Sequence, residues 1–272
     1  MKLDLHIHTN ASDGAWPPEK VVRAAAHNGL DVIAIADHDT TASVAPAQAA
    51  AADLNLQIIP AMEASSTWEG REIHVLGYFL DAGAPALAAH AQRAVRLREE
   101  RMRDMVERVN AQGMEVAFQD VLEAAGESRS TLARPHLARA LVARGHAATV
   151  GDAFNRHIGD HCEAFVPTSL QTPMEAVGMI QAAGGVAVWA HPPADTIDAL
   201  LPLMVEAGLH GLEVYRPSHS RKDIARLEGV CRTAGLVKGG GSDWHTPDYG
   251  YQLGDFYVEA PEVEQLLALG GM

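Results

Sequence analysis

A barrel of alternating strands and helices is the fold class this sequence predicts, and three observations predict it. Short, nearly continuous apolar runs recur along the chain. Several are separated by stretches of helical composition, and run after run ends in His, Asp or Glu. Continuous apolar strands alternating with helices describe a parallel sheet buried on both faces. An open doubly wound sheet gathers its ligand at one switch point, whereas a βα barrel carries reactive residues at the C-terminal ends of its strands, around one rim. The distribution here is of the second kind, so the expectation is a barrel, distorted or short of eight strands.

The first element is LDLHIH, residues 3–8, where Leu3, Leu5 and Ile7 alternate with Asp4, His6 and His8. Period-two alternation sends both imidazoles out of one face. Alone, the stretch admits either half of a metal site or a polar strand face. PPEKVVRAAAHNGL follows as a helix opened by Pro and closed by Gly. VIAIADHDT then ends in Asp37, His38 and Asp39, and the helical TASVAPAQAAAADLN leads to QIIPAMEASS, which delivers Glu63. REIHVLGYF carries His74 within its run. After the middle of the chain, TPMEAVGMIQAAGG reads as a helix and GGVAVWAHPP delivers His191. GLEVYRPSH brings Arg216 and His219, RKDIARLEGVCRTAGL is helical, and LVKGGGSDWH brings Asp243 and His245. No GxGxxG or GxxxxGK[ST] phosphate loop is present.

From about Leu87 to Asp160 the strand signals vanish. HAQRAVRLREERMRDMVERVNAQG reads as a long charged helix, and FQDVLEAAG, HLARALVARG and TVGDAFNRHIG as shorter ones. The division is therefore a barrel from residues 1–86 and 161–272 with a helical insertion at 87–160. Insertions at the C-terminal rim are where barrel enzymes acquire specificity, so a cap over the rim is preferred to a packing subdomain.

Composition narrows the function. Of 272 residues, 47% are apolar and 21% charged, as in an ordinary globular protein. Cys162 and Cys231 carry no CxxC spacing and make neither a disulfide framework nor a thiolate metal site. No leader and no apolar run of membrane-spanning length is visible, so a cytoplasmic protein is expected. The formal net charge of −14 disfavours coating of long duplex DNA. It leaves open a small phosphorylated substrate, since the positive charge is mostly Arg, the better fork for phosphate.

The candidate ligands are His6, His8, Asp13, His38, Glu63, His74, His191, Asp243 and His245. Singly, each has an ordinary explanation: Asp13 beside Gly14 is a turn residue, Asp243 a cap, His74 a core histidine. Their convergence on strand ends changes that, and nine ligands suit two or three ions. Asp37 and Asp39 flank His38 either as its supports or as turn residues.

In order, LDLHIHTNASDG, ADHDT, Glu63, His74, AHP and SDWH resemble the motifs of the polymerase and histidinol phosphatase (PHP) family, a branch of the amidohydrolase superfamily. The resemblance spans residue 1 to about 85 and about 165 to 260. It implies a distorted (β/α)7-like barrel and a trinuclear centre: His6, His8, Glu63 and Asp243 at a first metal, Glu63, His74 and His191 at a second, Asp13, His38 and His245 at a third. Mixed imidazole and carboxylate ligation suits Mn, Fe or Zn, and the family makes Mn the first choice.

The insertion, with STLARPHLARALVARG, resembles the subgroup of 3′,5′-nucleoside bisphosphate phosphatases and related 5′-to-3′ exonucleases on short RNA. This implies metal-activated hydroxide attack on a 3′-phosphate, giving for example AMP and phosphate from adenosine 3′,5′-bisphosphate, with His191 a candidate acid for the leaving oxygen. The alternatives are a 5′-to-3′ exoribonuclease and a non-catalytic metal-binding accessory module. A second phosphate needs its own pocket. Arg134 and His136, following Ser128-Arg129-Ser130-Thr131, are the best candidates, with Ser130 adding a hydroxyl and Arg216 and His219 near the rim. Arg101 and Arg103, on the long helix, read first as a solvated face.

Overall fold

The computed structural model describes residues 1–127 and 130–272; Ser128 and Arg129 of the SRST stretch lie outside the described residues. The elements run β1 (Lys2–Ile7), α1 (Pro18–His27), β2 (Val32–Ile35), α2 (Val44–Ala51), β3 (Gln57–Trp68) and β4 (Arg71–Tyr78), followed by the helices α3 (Pro85–Ala111), α4 (Phe118–Ala125), α5 (Arg134–Ala143) and α6 (Val150–Ala153) and one π turn at Phe154–Ile158. The chain then continues through α7 (Pro173–Ala182), β5 (Val186–Trp189), α8 (Ile197–Glu206), β6 (Gly211–Tyr215), α9 (Arg221–Ala234), β7 (Val237–Gly240), β8 (Val258–Glu259) and α10 (Glu264–Leu269). The strand order is β7-β6-β5-β4-β3-β2-β1-β8. The barrel is nearly closed by the segment after β7, where Asp243 N–H donates to His6 O at 2.9 Å or less (2.8 Å) and His8 N–H to Trp244 O at 2.9 Å.

Closure depends on a glycine. A Cβ on Gly241 would stand 2.4 Å from His6 N, so only a bare Cα lets the two chains approach. The resulting fold is the expected distorted seven-stranded barrel, with β8 added antiparallel outside β1.

The sheet is not parallel throughout. β4 is antiparallel to both β3 and β5. Glu69 and Gly70 join β3 to β4 with φ of 49° and 78°, the two positive values that a tight hairpin with the twist of its strands requires. β4 therefore runs down the barrel wall and delivers Tyr78 to the end opposite the rim, where Asp81 N–H bonds Ala183 O at 2.9 Å, just before β5.

α3 starts from that lower end and climbs back. Its 27 residues span about 40 Å. Leu87 packs in the barrel core, while Met102, Met105, Val106 and Val109 pack in a second core with Val121, Leu137, Leu141 and Ile158. The helical insertion thus has its own apolar centre, and that centre also takes in Ala164 and Val166. α8, which carries Pro202 within it, is a barrel helix that the alternation did not mark. No helix among the described residues is long and apolar enough to cross a membrane.

Candidate metal centre

The ends of β1, β2 and β5, the loop after β1, the middle of β3, the upper half of β4 and the segment after β7 bring all nine candidate ligands together. Asp39, His191 and Asp243 have φ of 57°, 32° and 55°. Positive φ at three non-glycine residues concentrates backbone strain where side chains must be aimed.

One group of atoms surrounds a point between β1, β3 and the closing segment. His6 Nε2 lies 3.1 Å from His8 Nε2, 3.2 Å from Glu63 Oε2 and 3.4 Å from Asp243 Oδ1. His8 Nε2 is 3.2 Å from both carboxylate oxygens. Ligands bound about 2.0–2.2 Å from one ion in tetrahedral array stand about 3.3–3.6 Å apart, and slightly closer in higher coordination, so these spacings fit a divalent cation.

A second group uses the other oxygen of Glu63. Its Oε1 is 3.0 Å from His191 Nε2 and 3.1 Å from His74 Nδ1, and those two nitrogens are 3.3 Å apart. A third group is looser: Asp13 faces His245 Nε2 at 3.4 Å, His38 Nε2 at 3.8 Å and His8 Nδ1 at 3.6 Å. His38 stands between groups. Its Nδ1 is buried without a hydrogen-bond partner, yet lies 3.2 Å from Glu63 Oε2. A lone nitrogen facing a carboxylate oxygen without bonding it is what a shared cation would explain.

The electrostatics agree. Burial alone would strip protons from His8, but hydrogen bonds to Asp243 and Glu63 and the charge of Asp13 push it up to about 10. Burial opposes ionisation of Glu63, Asp13 and Asp243, yet the surrounding imidazoles hold all three well below the usual carboxylate range. The cluster demands positive charge, which divalent cations would supply in exchange for protons. Burial drives His38 down to about 3, keeping it neutral with its lone pair available.

Asp37 and Asp39 take supporting positions away from the His38 ring. Asp37 accepts from Thr9 N–H (2.8 Å), Thr9 Oγ1 (2.7 Å) and Ser12 Oγ (2.6 Å), fixing the loop that carries Asp13. Asp39 accepts from Ser65 N–H (2.8 Å), His90 Nε2 (2.8 Å) and Arg98 Nε (2.7 Å), which ties α3 to the barrel beside His38.

A cavity of about 620 Å³ opens over the cluster, lined by Asp13, His38, His74, Asp243 and His245 and also by Arg98, Arg101, Arg134, Phe154, Arg216 and Tyr251. Arg134 is among the lining residues. Its guanidinium meets Glu72 Oε2 at 2.7 Å and Asp160, and lies 5.5 Å and 5.0 Å from the Phe154 and Phe165 rings. Arg216 also lines it, with Nη2 2.6 Å from Asp243 Oδ2.

The other expected substrate contacts fall elsewhere. Ser130 borders a different depression with Phe118 and Leu122. His136 is buried and accepts from Ala133 N–H at 3.0 Å, because at the third position of α5 its ring folds back over the helix start. His219 donates from Nδ1 to Val214 O at 2.8 Å, turned back onto its own strand. His191 directs Nε2 at Glu63, so a cation held there removes that nitrogen as a proton donor to substrate.

The sequence reading missed three residues. Arg101 is 6% exposed rather than solvated, and it pairs with Glu72 at 2.7 Å; Arg103 is the exposed one, pairing with Glu99. Burial pulls Arg101 down to about 10. Despite that same burial, Arg101 and Arg134 hold Glu72 well below the usual range. Glu213 is fully buried against His6 and His191. Its signal was visible: a Glu inside the otherwise apolar strand GLEVY needs a partner.

Comparison with known proteins gives consistent results. The PHP domain family matches residues 4–127. A 5′-3′ exoribonuclease of Haemophilus influenzae is 33% identical over 93% of this chain and 93% of its own. A 3′,5′-nucleoside bisphosphate phosphatase of Chromobacterium violaceum is 32% identical over 91% of this chain and 88% of its own. Among solved structures, an amidohydrolase from Chromobacterium violaceum, with sulfate bound and no metal, superposes with a TM-score of 0.89 at 30% identity, covering 99% of this chain and 97% of that one.

Proposed function

The chain belongs to the PHP family of phosphoesterases, and from that premise we propose that it removes the 3′-phosphate from nucleoside 3′,5′-bisphosphates. The observation that carries this choice is the placing of two features on one cavity: the ligand cluster, which would bind phosphate through its cations, and the Arg101–Arg134 pair held by Glu72. A substrate with one phosphate at each end matches such a cavity better than a simple phosphomonoester.

His6, His8, Glu63 and Asp243 would hold one cation, Glu63, His74 and His191 a second, and Asp13, His38 and His245 a third, with Mn preferred and Fe or Zn compatible with the same donors. Bound there, divalent ions supply Lewis acidity and an activated water for in-line attack at phosphorus. The chain's own residues do the rest. Glu63 shares its oxygens between two groups and sets their spacing. Arg134 would exchange the exposed Asp160 for the distal phosphate while Glu72 and the two phenylalanine rings beside it hold the guanidinium plane. Arg216 adds positive charge at the cavity wall near the reacting phosphate.

A second reading extends the leaving group to another nucleoside, making the enzyme a 5′-to-3′ exoribonuclease, and the relative from Haemophilus influenzae supports it. Phosphorus NMR of adenosine 3′,5′-bisphosphate with Mn-loaded protein tests the choice. Loss of the 3′ resonance with the 5′-monophosphate untouched is expected. No turnover there, with cleavage of a 5′-phosphorylated dinucleotide, would transfer the assignment to the exonuclease. No turnover of either would leave the metal-binding module.

A further inference from the structure

We propose that Glu213 is a positioning residue that makes two of the metal positions interdependent. The proposal rests on reading the cluster as a metal centre. Glu213 lies on β6 with both oxygens committed. Oε1 accepts from His6 Nδ1–H at 2.8 Å, which fixes the tautomer whose bare Nε2 points at His8, Glu63 and Asp243. Oε2 accepts from the backbone N–H of His191 at 2.8 Å. That residue has φ of 32°, and the bond holds it in a conformation that carries its ring to Glu63 Oε1.

Arg216 completes a circuit. Its Nη2 is 2.6 Å from Asp243 Oδ2, and its Nε, without a hydrogen-bond partner, makes an ion-pair contact of 3.4 Å with Glu213 Oε2. His6, Glu213, Arg216 and Asp243 therefore brace one group of ligand atoms, and the His191 contact extends the brace to the next. The hydrogen bonds of Glu213 do not run to Asp13, His38 or His245. A buried carboxylate between the core residues Leu212 and Val214 is costly to desolvate, and a hydrophobic residue would serve packing as well or better. Its two contacts, one to each metal-facing group, account for its presence.

The test is E213Q, which keeps the shape but has one acceptor oxygen for two donors. Equilibrium dialysis against Mn, with metal analysis and Mn electron paramagnetic resonance, is compared across wild type, E213Q and D13N, with circular dichroism to establish folding. Expected is a folded E213Q whose Mn affinity falls roughly 10- to 100-fold in one class of sites, while the class that D13N removes keeps its affinity. Turnover should return when Mn is raised in proportion, which a purely structural role would not give. A wild-type isotherm for E213Q, or equal loss from both classes, would overturn the coupling. Wild-type protein that binds no Mn would instead remove the metal centre itself.

Discussion

Arg134 Nη2 stands 2.7 Å from Glu72 Oε2, so the first residue of a cap helix is fixed to a barrel strand at the edge of the cavity. Removing a charge-assisted hydrogen bond costs about 1.5–3 kcal/mol. R134A should therefore raise KM for adenosine 3′,5′-bisphosphate by roughly 10- to 100-fold, with kcat on a minimal aryl phosphate little changed. Steady-state kinetics on both substrates check it. Equal losses would make Arg134 a strut between cap and barrel, without a part in recognition.

Metal removal should convert the cluster into a proton store. His8 in the metal-free protein is pushed up to about 10 from an ordinary 6.5. Its folded value lies above its unfolded one, so its contribution to stability is complete below pH 6.5 and disappears as pH rises toward 10. The Tm of chelator-treated protein should fall across that window, and the Mn-loaded protein should show a flatter profile. A Tm of the chelated protein independent of pH from 7 to 10 would contradict the assigned proton.

Arg98 is 3% exposed and donates to Asp39, to Leu132 O at 3.0 Å and to Ser65 Oγ. Burial disfavours the Asp39 charge, but Arg98 and His90 hold that carboxyl far below its usual range. R98M leaves the buried Asp39 charge without its cation, held only by His90 and the Ser65 N–H, and urea denaturation should show a loss of about 3–5 kcal/mol. The double variant R98M/D39N should recover part of it. An R98M protein as stable as wild type would show that α3 is held by its apolar contacts alone.

G241A should be disproportionately harmful for a single methyl. The added Cβ would meet His6 N at 2.4 Å and His6 Cβ at 2.5 Å. Forcing the closing segment off β1 costs about 1–3 kcal/mol and displaces His6, so Mn content should fall together with Tm. G178A, on α7 with nothing within 4 Å of the new atom, is the control and should be neutral or slightly stabilising.

The barrel and the gathering of the nine candidate side chains were legible because both follow from local pattern. Apolar runs report buried strands, and most of the candidate side chains sit at or near the end of one, Glu63 and His74 lying within β3 and β4 and Asp13 in the loop after β1. β4 escaped because its orientation depends on two residues, Glu69 and Gly70, whose hairpin signal lies inside what reads as a continuing strand series. Ser130, His136 and His219 carried the right chemistry, but the direction of a side chain near a helix start or strand end is set by its nearest backbone partner: Ala133 N–H turns His136, and Val214 O turns His219. Arg101 was unreadable for a different reason. One face of α3 is dry only because β4 supplies Glu72 to meet it, a contact 29 residues away in sequence.

The continuity of α3 from barrel core to cap core makes it a strut that starts at the far end of the barrel, its alignment held by the bonds of His90 and Arg98 to Asp39 and of Arg101 to Glu72. Arg101 stands 16 residues beyond Pro85, about 24 Å along the helix. A tilt of about two degrees at Pro85 would move the guanidinium's root by about 0.8 Å, and displacements near 1 Å at a reacting centre can change rates by about 100-fold. On the proposed function, substrate preference would be exposed to packing changes around Leu80, Ala84 and Leu87, side chains that do not line the cavity.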